Sequence, residues 1–144
     1  MKLKSLGKFF KVWYPSILIM VFIFIMSSFA ATDSDRQSGF IINAITFAFP
    51  ELANVPFLVN IVRKSAHFIE YAILGFSVAR SMKLSGAKHS FTSVIACAIY
   101  ASTDEFHQSF TPGRSSELKD VLLDTLGASF GILIYWLITH KKTD

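Results

Sequence analysis

The sequence predicts an all-α polytopic membrane protein: a four-transmembrane-helix antiparallel bundle with a short interfacial helix in the first outer loop, forming a single domain over residues 1–144. Three observations predict it. Hydrophobic residues make up 52% of the chain and charged residues only 17%, too few for the polar shell of a soluble domain. Mean hydropathy is +0.47. Four apolar runs, each close to the roughly 20 residues that cross a bilayer core as a helix, follow one another along the chain. This composition argues against a soluble enzyme, a disordered tail and a nucleic-acid reader, despite a pI near 9.3. A single Cys97 leaves no disulfide framework and no Cys-based zinc site.

The first span is predicted at about Val12 to Ala31, free of charge and edged by Trp13 and Tyr14 at interface depth. Its basic start and Ser28-Phe29-Ala30 also fit a cleaved signal peptide. The length of the run and the aromatic pair favour a retained anchor. Between the first two spans, Thr32 to Val62 begins polar (TDSDRQSG) and continues with apolar residues at 40, 41, 44, 45, 48 and 49. That spacing fits one face of a helix too short to span, lying on the outer membrane surface or capping the bundle. Pro50 and Pro56 bracket the return of the chain.

The second span, about Lys64 to Met82, carries Lys64, His67 and Glu70 in its first turns. The third, about Ser90 to Phe106, ends on Asp104 and Glu105. The fourth, about Asp120 to Ile138, starts with Asp120 and Asp124 and ends near Tyr135 and Trp136. Gly127, Ala128 and Gly131 are expected to let this last helix approach a neighbour closely.

Charge placement gives the orientation. With the N-terminus in the cytoplasm, nine basic residues lie inside (Lys2, Lys4, Lys8, Lys11, Arg80, Lys83, Lys88, Lys141, Lys142) against the single acid Asp144. The outer side then holds five basic residues (Arg36, Arg63, Lys64, Arg114, Lys119) and nine acids (Asp33, Asp35, Glu51, Glu70, Asp104, Glu105, Glu117, Asp120, Asp124). The positive-inside rule therefore supports both termini in the cytoplasm of a multi-pass inner-membrane protein.

Every intramembrane ionisable residue falls in the outer half. Arg63, Lys64, His67, Glu70, Tyr71 and Leu74 recur at steps of three and four, a ladder on one face of the second helix. In the third, Tyr100, Asp104, His107 and Gln108 share a face with Glu105 beside it. The loop Thr111-Pro112-Gly113-Arg114-Ser115-Ser116 makes a tight turn that can hold Arg114 back over the bundle. A charge in lipid costs about 2.5 to 3.5 kcal/mol per residue on the gentler insertion scale, so these groups must face one another or a water-filled pocket. Structural ion pairs such as Lys64 with Asp124, or Arg114 with Glu105, would satisfy part of the set. So many different ionisable types at one depth point instead to a site.

Within it, His67 is a candidate general acid/base oriented by Glu70, and Asp104, Glu105 and Asp120 are candidate catalytic carboxylates. Arg63, Lys64 and Arg114, with Tyr71, Gln108 and Asp124, are candidate ligand-binding residues. A guanidinium fork suits phosphate or carboxylate. Tyr71 and Tyr100 serve equally as interface packing. His107 is read as solvated near the mouth, His89 and His140 as surface residues, and Cys97 as core. No metal ligand is assigned, although His67, Glu70 and the four Asp and Glu partners could accept Mg²⁺ or Mn²⁺ ahead of Zn²⁺.

Three stretches carry a family resemblance: R-K-S-A-H-F-I-E-Y (Arg63 to Tyr71), D-E-F-H-Q-S-F-T-P-G-R (Asp104 to Arg114) and D-V-L-L-D-T-L-G (Asp120 to Gly127). Together they resemble the VanZ-like family over roughly the last two-thirds of the chain, through Lys64, His67, Tyr71, Asp104, Glu105, Gln108, Arg114 and Asp120. The family often carries Asn four residues after the motif Asp, where this chain has Asp124, an acid in place of a neutral amide. The resemblance implies a small bacterial inner-membrane protein associated with low-level teicoplanin resistance, and implies no particular reaction.

The leading functional expectation is therefore a cell-envelope protein. It binds, and can hydrolyse or transfer, an anionic lipid or lipid-linked envelope precursor at an outward-facing pocket. A proton-coupled carrier is the first rival, weakened by the lack of a matching inner cluster and of an internal repeat. An assembly factor that docks a partner synthase is the second.

Overall fold

The computed structural model describes residues 2–29, 31–55, 57–87, 90–114 and 116–140, and their side chains except those of 2–6, 8, 31–37 and 90. Lys88, His89, Lys141, Lys142 and Asp144 of the charge pattern, together with Pro56 and Ser115, lie outside the described residues. So do the side chains of Lys2, Lys4, Lys8, Asp33, Asp35 and Arg36.

Among the described residues the chain is all-helical. In order run α1 (Lys2–Ser27), α2 (Ala31–Ala48), a 3-10 turn (Pro50–Asn54), α3 (Leu58–Leu84), α4 (Ser90–Gln108) and α5 (Leu118–His140). The four predicted spans all appear as helices. Two of them, Phe9–Ser27 and Leu118–His140, are long and apolar enough to cross a membrane. Only 11% and 33% of their apolar windows are buried inside the protein, unlike the core helix of a soluble fold. At 1.5 Å per residue α3 and α4 reach about 40 Å and 28 Å, lengths comparable with a bilayer core. The ionisable residues at one end of each lower their hydropathy.

Several boundaries differ from the sequence reading; α1 starts at Lys2 and α3 at Leu58, ahead of Val12 and Lys64. The first helix ends at Ser27 rather than Ala31, followed by a turn. The polar segment TDSDRQSG is helical too, so α2 runs 18 residues instead of ten. No proline interrupts 31–48, and a continuous helix satisfies its own backbone polar groups. The inward side of α2 is Ser38, Ile42, Ile45 and Thr46, whereas Phe40 and Phe47 stand 81% and 90% exposed. Of the predicted face through 40, 41, 44, 45, 48 and 49, positions 40, 44, 48 and 49 are exposed, whereas Ile45 turns inward. Pro50 opens the 3-10 turn, where its missing N–H has no cost.

The closest helix pair is α3 against α5, made possible by glycine. A Cβ on Gly127 would lie 2.5 Å from the Phe68 carbonyl oxygen, and Cβ atoms on Gly131 and Gly75 would collide with the Ala72 and Ala128 backbones. The sequence points to Gly127 and Gly131; Gly75 on α3 completes the interlock. Serines bind α1 to α3: Ser16 Oγ lies 2.9 Å from Ser77 Oγ and 3.1 Å from Ser81 Oγ, and Ser81 donates to the Val12 carbonyl at 2.9 Å. The buried set mixes Ile23, Leu74, Val78, Cys97 and Ala101 with Ser16, Ser27, Ser77, Ser81, Asp104, Glu105, Gln108 and Asp124. Phe, Ile and Leu side chains cover the outside of every helix. Polar groups inward and apolar groups outward is the distribution of helices that pack by small residues and hydrogen bonds in an apolar surround.

Candidate functional site

The antiparallel order brings together the C-terminal end of α1, the N-terminal half of α3, the C-terminal end of α4 and the N-terminal turns of α5. On α3 the three-and-four spacing aims Arg63, His67, Glu70 and Tyr71 inward, while Lys64 stays half-exposed at the edge. On α4, Asp104 and Gln108 are one turn apart and both buried. On α5, Asp120 and Asp124 are likewise one turn apart; Asp124 is 2% exposed and Asp120 partly open.

Asp104 is the hub. Its Oδ2 accepts from Ser27 Oγ at 2.9 Å, Gln108 Nε2 at 3.0 Å and the Tyr71 hydroxyl at 3.4 Å. Gln108 also donates to Ser27 Oγ at 3.3 Å. Its carbonyl Oε1 accepts from an Arg114 guanidinium N–H at 3.0 Å. One chain of hydrogen bonds therefore runs from α1 through α4 to the loop arginine. The tight turn expected at Pro112-Gly113 is present: the Arg114 N–H donates to the Thr111 carbonyl at 3.2 Å, and Gly113 has φ 76°, a conformation suited to glycine. Burial first, then the like charge of Arg63, pushes the Arg114 guanidinium below its ordinary value, against the pull of Asp104, Glu105 and Glu70.

The two neighbouring acids of α4 part company. Glu105 Oε1 accepts the Glu117 backbone N–H at 2.8 Å, tying the end of α4 to the residue that precedes α5. Lys64 pairs with Asp120. The Lys64–Asp124 partnership considered from sequence is thus replaced by its neighbour one turn earlier. His67 Nδ1 and Glu70 Oε2 stand 3.9 Å apart, beyond hydrogen-bond reach, so this pair is an ionic contact only when the ring is protonated. Tyr100 turns to α1, its hydroxyl donating to the Met20 carbonyl at 2.6 Å. His107, partly exposed, stacks on Phe24 with centroids 4.4 Å apart, and its Nε2 lies 3.1 Å from Ser28 Oγ. Cys97 is core, at 1% exposure.

Two cavities border the cluster. The smaller, about 30 Å³, is walled by Arg63, Lys64, His67, Glu105, Asp120 and Asp124, among others. The larger, about 240 Å³, is lined by Arg63, His67, Glu70 and Arg114 beneath Ser38 and Ile41 of α2. The sequence reading groups Arg63, Lys64 and Arg114 in one pocket. The structure puts Arg63 on both cavities, Arg114 on the larger and Lys64 on the smaller. An apolar groove of about 320 Å³, bounded by Leu18, Ile19, Phe22 and Ile73, shares Glu70 with the larger cavity.

Sequence reasoning misses Ser27 and the α2 wall. Ser27 is fully buried and anchors Asp104. A hydroxyl at the end of an apolar run, at the depth of the acids on α4, is the signal that could have found it.

A family model described as VanZ/LLP1 matches residues 12–139. Comparison with curated proteins and with solved structures finds no match.

Proposed function

The chain belongs to the VanZ/LLP1 family, and we propose that it is a four-span protein of the bacterial cytoplasmic membrane whose outward-facing cavity binds an anionic lipid or lipid-linked envelope precursor by its head group. Both termini lie in the cytoplasm in this reading. The positive-inside charge split supports it, as do the apolar exterior and the inward-turned polar ends of α3 and α4.

The observation that carries the proposal is the cavity of about 240 Å³ with Arg63 and Arg114 on its wall, opening beside an apolar groove. Two guanidinium groups supply forked donors for phosphate oxygens. Gln108 holds Arg114 in position from below. An acyl or prenyl chain in the groove past Leu18, Phe22 and Ile73 keeps its phosphate within the cavity. Head group and tail then meet surfaces of matching polarity, as an outer-leaflet lipid requires.

Hydrolysis or transfer at that head group is the reaction class the neighbouring His67 and Asp104 would support. The association of the VanZ-like family with teicoplanin resistance fits an envelope-precursor ligand.

The test is thermal unfolding of the detergent-purified protein with added lipid. An anionic phospholipid at about a hundredfold over its Kd stabilises the folded state by about 2.7 kcal/mol. A zwitterionic lipid of the same chain length does not, and Arg63→Ala with Arg114→Ala removes the difference. Equal stabilisation by both lipids would remove the basis for the reading.

A further inference from the structure

The geometry points to a divalent-cation site held by His67, Asp104 and Asp124 at the floor of the cluster. Ligand atoms of these three residues all lie within 4.8 Å of one another. They come from α3, α4 and α5, the three helices whose polar ends converge.

Four features support it. First, Asp104 and Asp124 are each 2% exposed, and burying two carboxylates side by side is costly. Lys64 is engaged by Asp120. Second, His67 Nδ1, Asp104 Oδ1 and Asp124 Oδ1 are buried and have no hydrogen-bond partner among the described residues. Buried polar atoms in folded proteins nearly always have a partner, and an ion is one of the few things that serves three at once. Third, Asp104 is already oriented as a ligand: Ser27, Gln108 and Tyr71 all bond its Oδ2 and leave Oδ1 to the site. Outer-sphere hydrogen bonds of this kind are typical of metal-binding carboxylates. Fourth, the cavity of about 30 Å³ touches both His67 and Asp124, room for about one water molecule to complete the coordination.

Ligand bonds of about 2.0–2.2 Å place two donors on one ion no more than about 4.4 Å apart, so a closure of a few tenths of an ångström suffices. One imidazole nitrogen with two carboxylates favours Zn²⁺ or Mn²⁺ over Mg²⁺. Two negative charges then meet a dication, and the floor becomes neutral beneath Arg63 and Arg114. The Asn that the VanZ-like family often carries at the Asp124 position would lack that charge. The site does not depend on the head-group reading, and lipid content is measured separately in the same sample.

The full chain, purified in detergent without chelator, is assayed for bound metal by elemental analysis. It is then stripped and titrated with Mn²⁺, Zn²⁺ and Mg²⁺ while its unfolding midpoint is followed. The expected result is about one transition-metal ion per chain and a midpoint that rises with Mn²⁺ or Zn²⁺ more than with Mg²⁺. Asp104→Asn and Asp124→Asn lose the ion, whereas Asp120→Asn, in the same cluster but paired with Lys64, retains it. Ser27→Ala, acting through Asp104, weakens binding about 10- to 100-fold. If the asparagine variants do not fold, the wild-type titration decides alone, with the Mn²⁺ electron-spin signal reporting a bound ion. Absence of an ion together with no stabilisation by any of the three cations overturns the site. Equal loss in Asp120→Asn overturns the assignment to these three residues.

Discussion

Gln108 stands between Asp104 and Arg114, its amide nitrogen 3.0 Å from the Asp104 carboxylate and its amide oxygen 3.0 Å from the Arg114 guanidinium. The amide ties a buried acid and a loop arginine to one scaffold. That keeps Arg114 aimed at the cavity it lines. Gln108→Ala is expected to cost about 1–3 kcal/mol, because two buried polar partners lose their bonds. Thermal unfolding in detergent measures the loss, and the stabilisation by anionic lipid should shrink with it.

Glycine at the α3–α5 contact carries a separate prediction. Gly131→Val forces side-chain carbon into the Ala72 backbone and is expected to destabilise by about 1–3 kcal/mol or more. Gly39→Ala on α2 meets nothing within 4 Å and should be neutral or stabilising by up to about 1 kcal/mol. Unfolding midpoints of the two variants in the same detergent separate packing from general sensitivity.

Lys64 and Arg63 are neighbours in sequence with different work. Lys64 is half-exposed and paired with Asp120, so Lys64→Ala should cost no more than about 1 kcal/mol and leave lipid stabilisation in place. Arg63 lines the larger cavity, and Arg63→Ala should reduce lipid stabilisation. A lipid titration of each variant reads the contrast.

Much of this was legible before any coordinates. Helix order followed from the apolar runs, and the polar ladder of α3 from its three-and-four spacing. The Asp-Glu, Gln and Arg positions of α4 and its loop carried the family resemblance. What could not be read depended on helix rotation and depth. Whether Lys64 meets Asp120 or Asp124 is decided by how α5 turns against α3, and the glycine–backbone contacts set that rotation. Ser27 shares a face of α1 with Ser16, but which residue it meets depends on how α1 packs against α4. The polar start of α2 resembles a loop in composition, and its inward side is set by contact with α3 rather than by its most apolar face. Asp104 and Glu105 look equivalent in sequence. A step of about 100° around the helix sends one to the hub and the other to the Glu117 backbone.

Ser27→Ala isolates the α1 contribution to the hub. Loss of a hydrogen bond to a buried carboxylate is expected to cost about 1.5–3 kcal/mol, without changing the apolar character of α1. Thermal unfolding checks the stability, and circular dichroism checks that the helix content is unchanged.

The central claim is a bound anionic head group at Arg63 and Arg114. Native mass spectrometry of the protein released from detergent tests it most directly. The account predicts one phosphate-bearing lipid retained per chain. It should be lost when Arg63→Ala and Arg114→Ala are combined, and kept in Lys64→Ala. A wild-type protein that carries no lipid, or a double variant that retains it equally, would contradict the account.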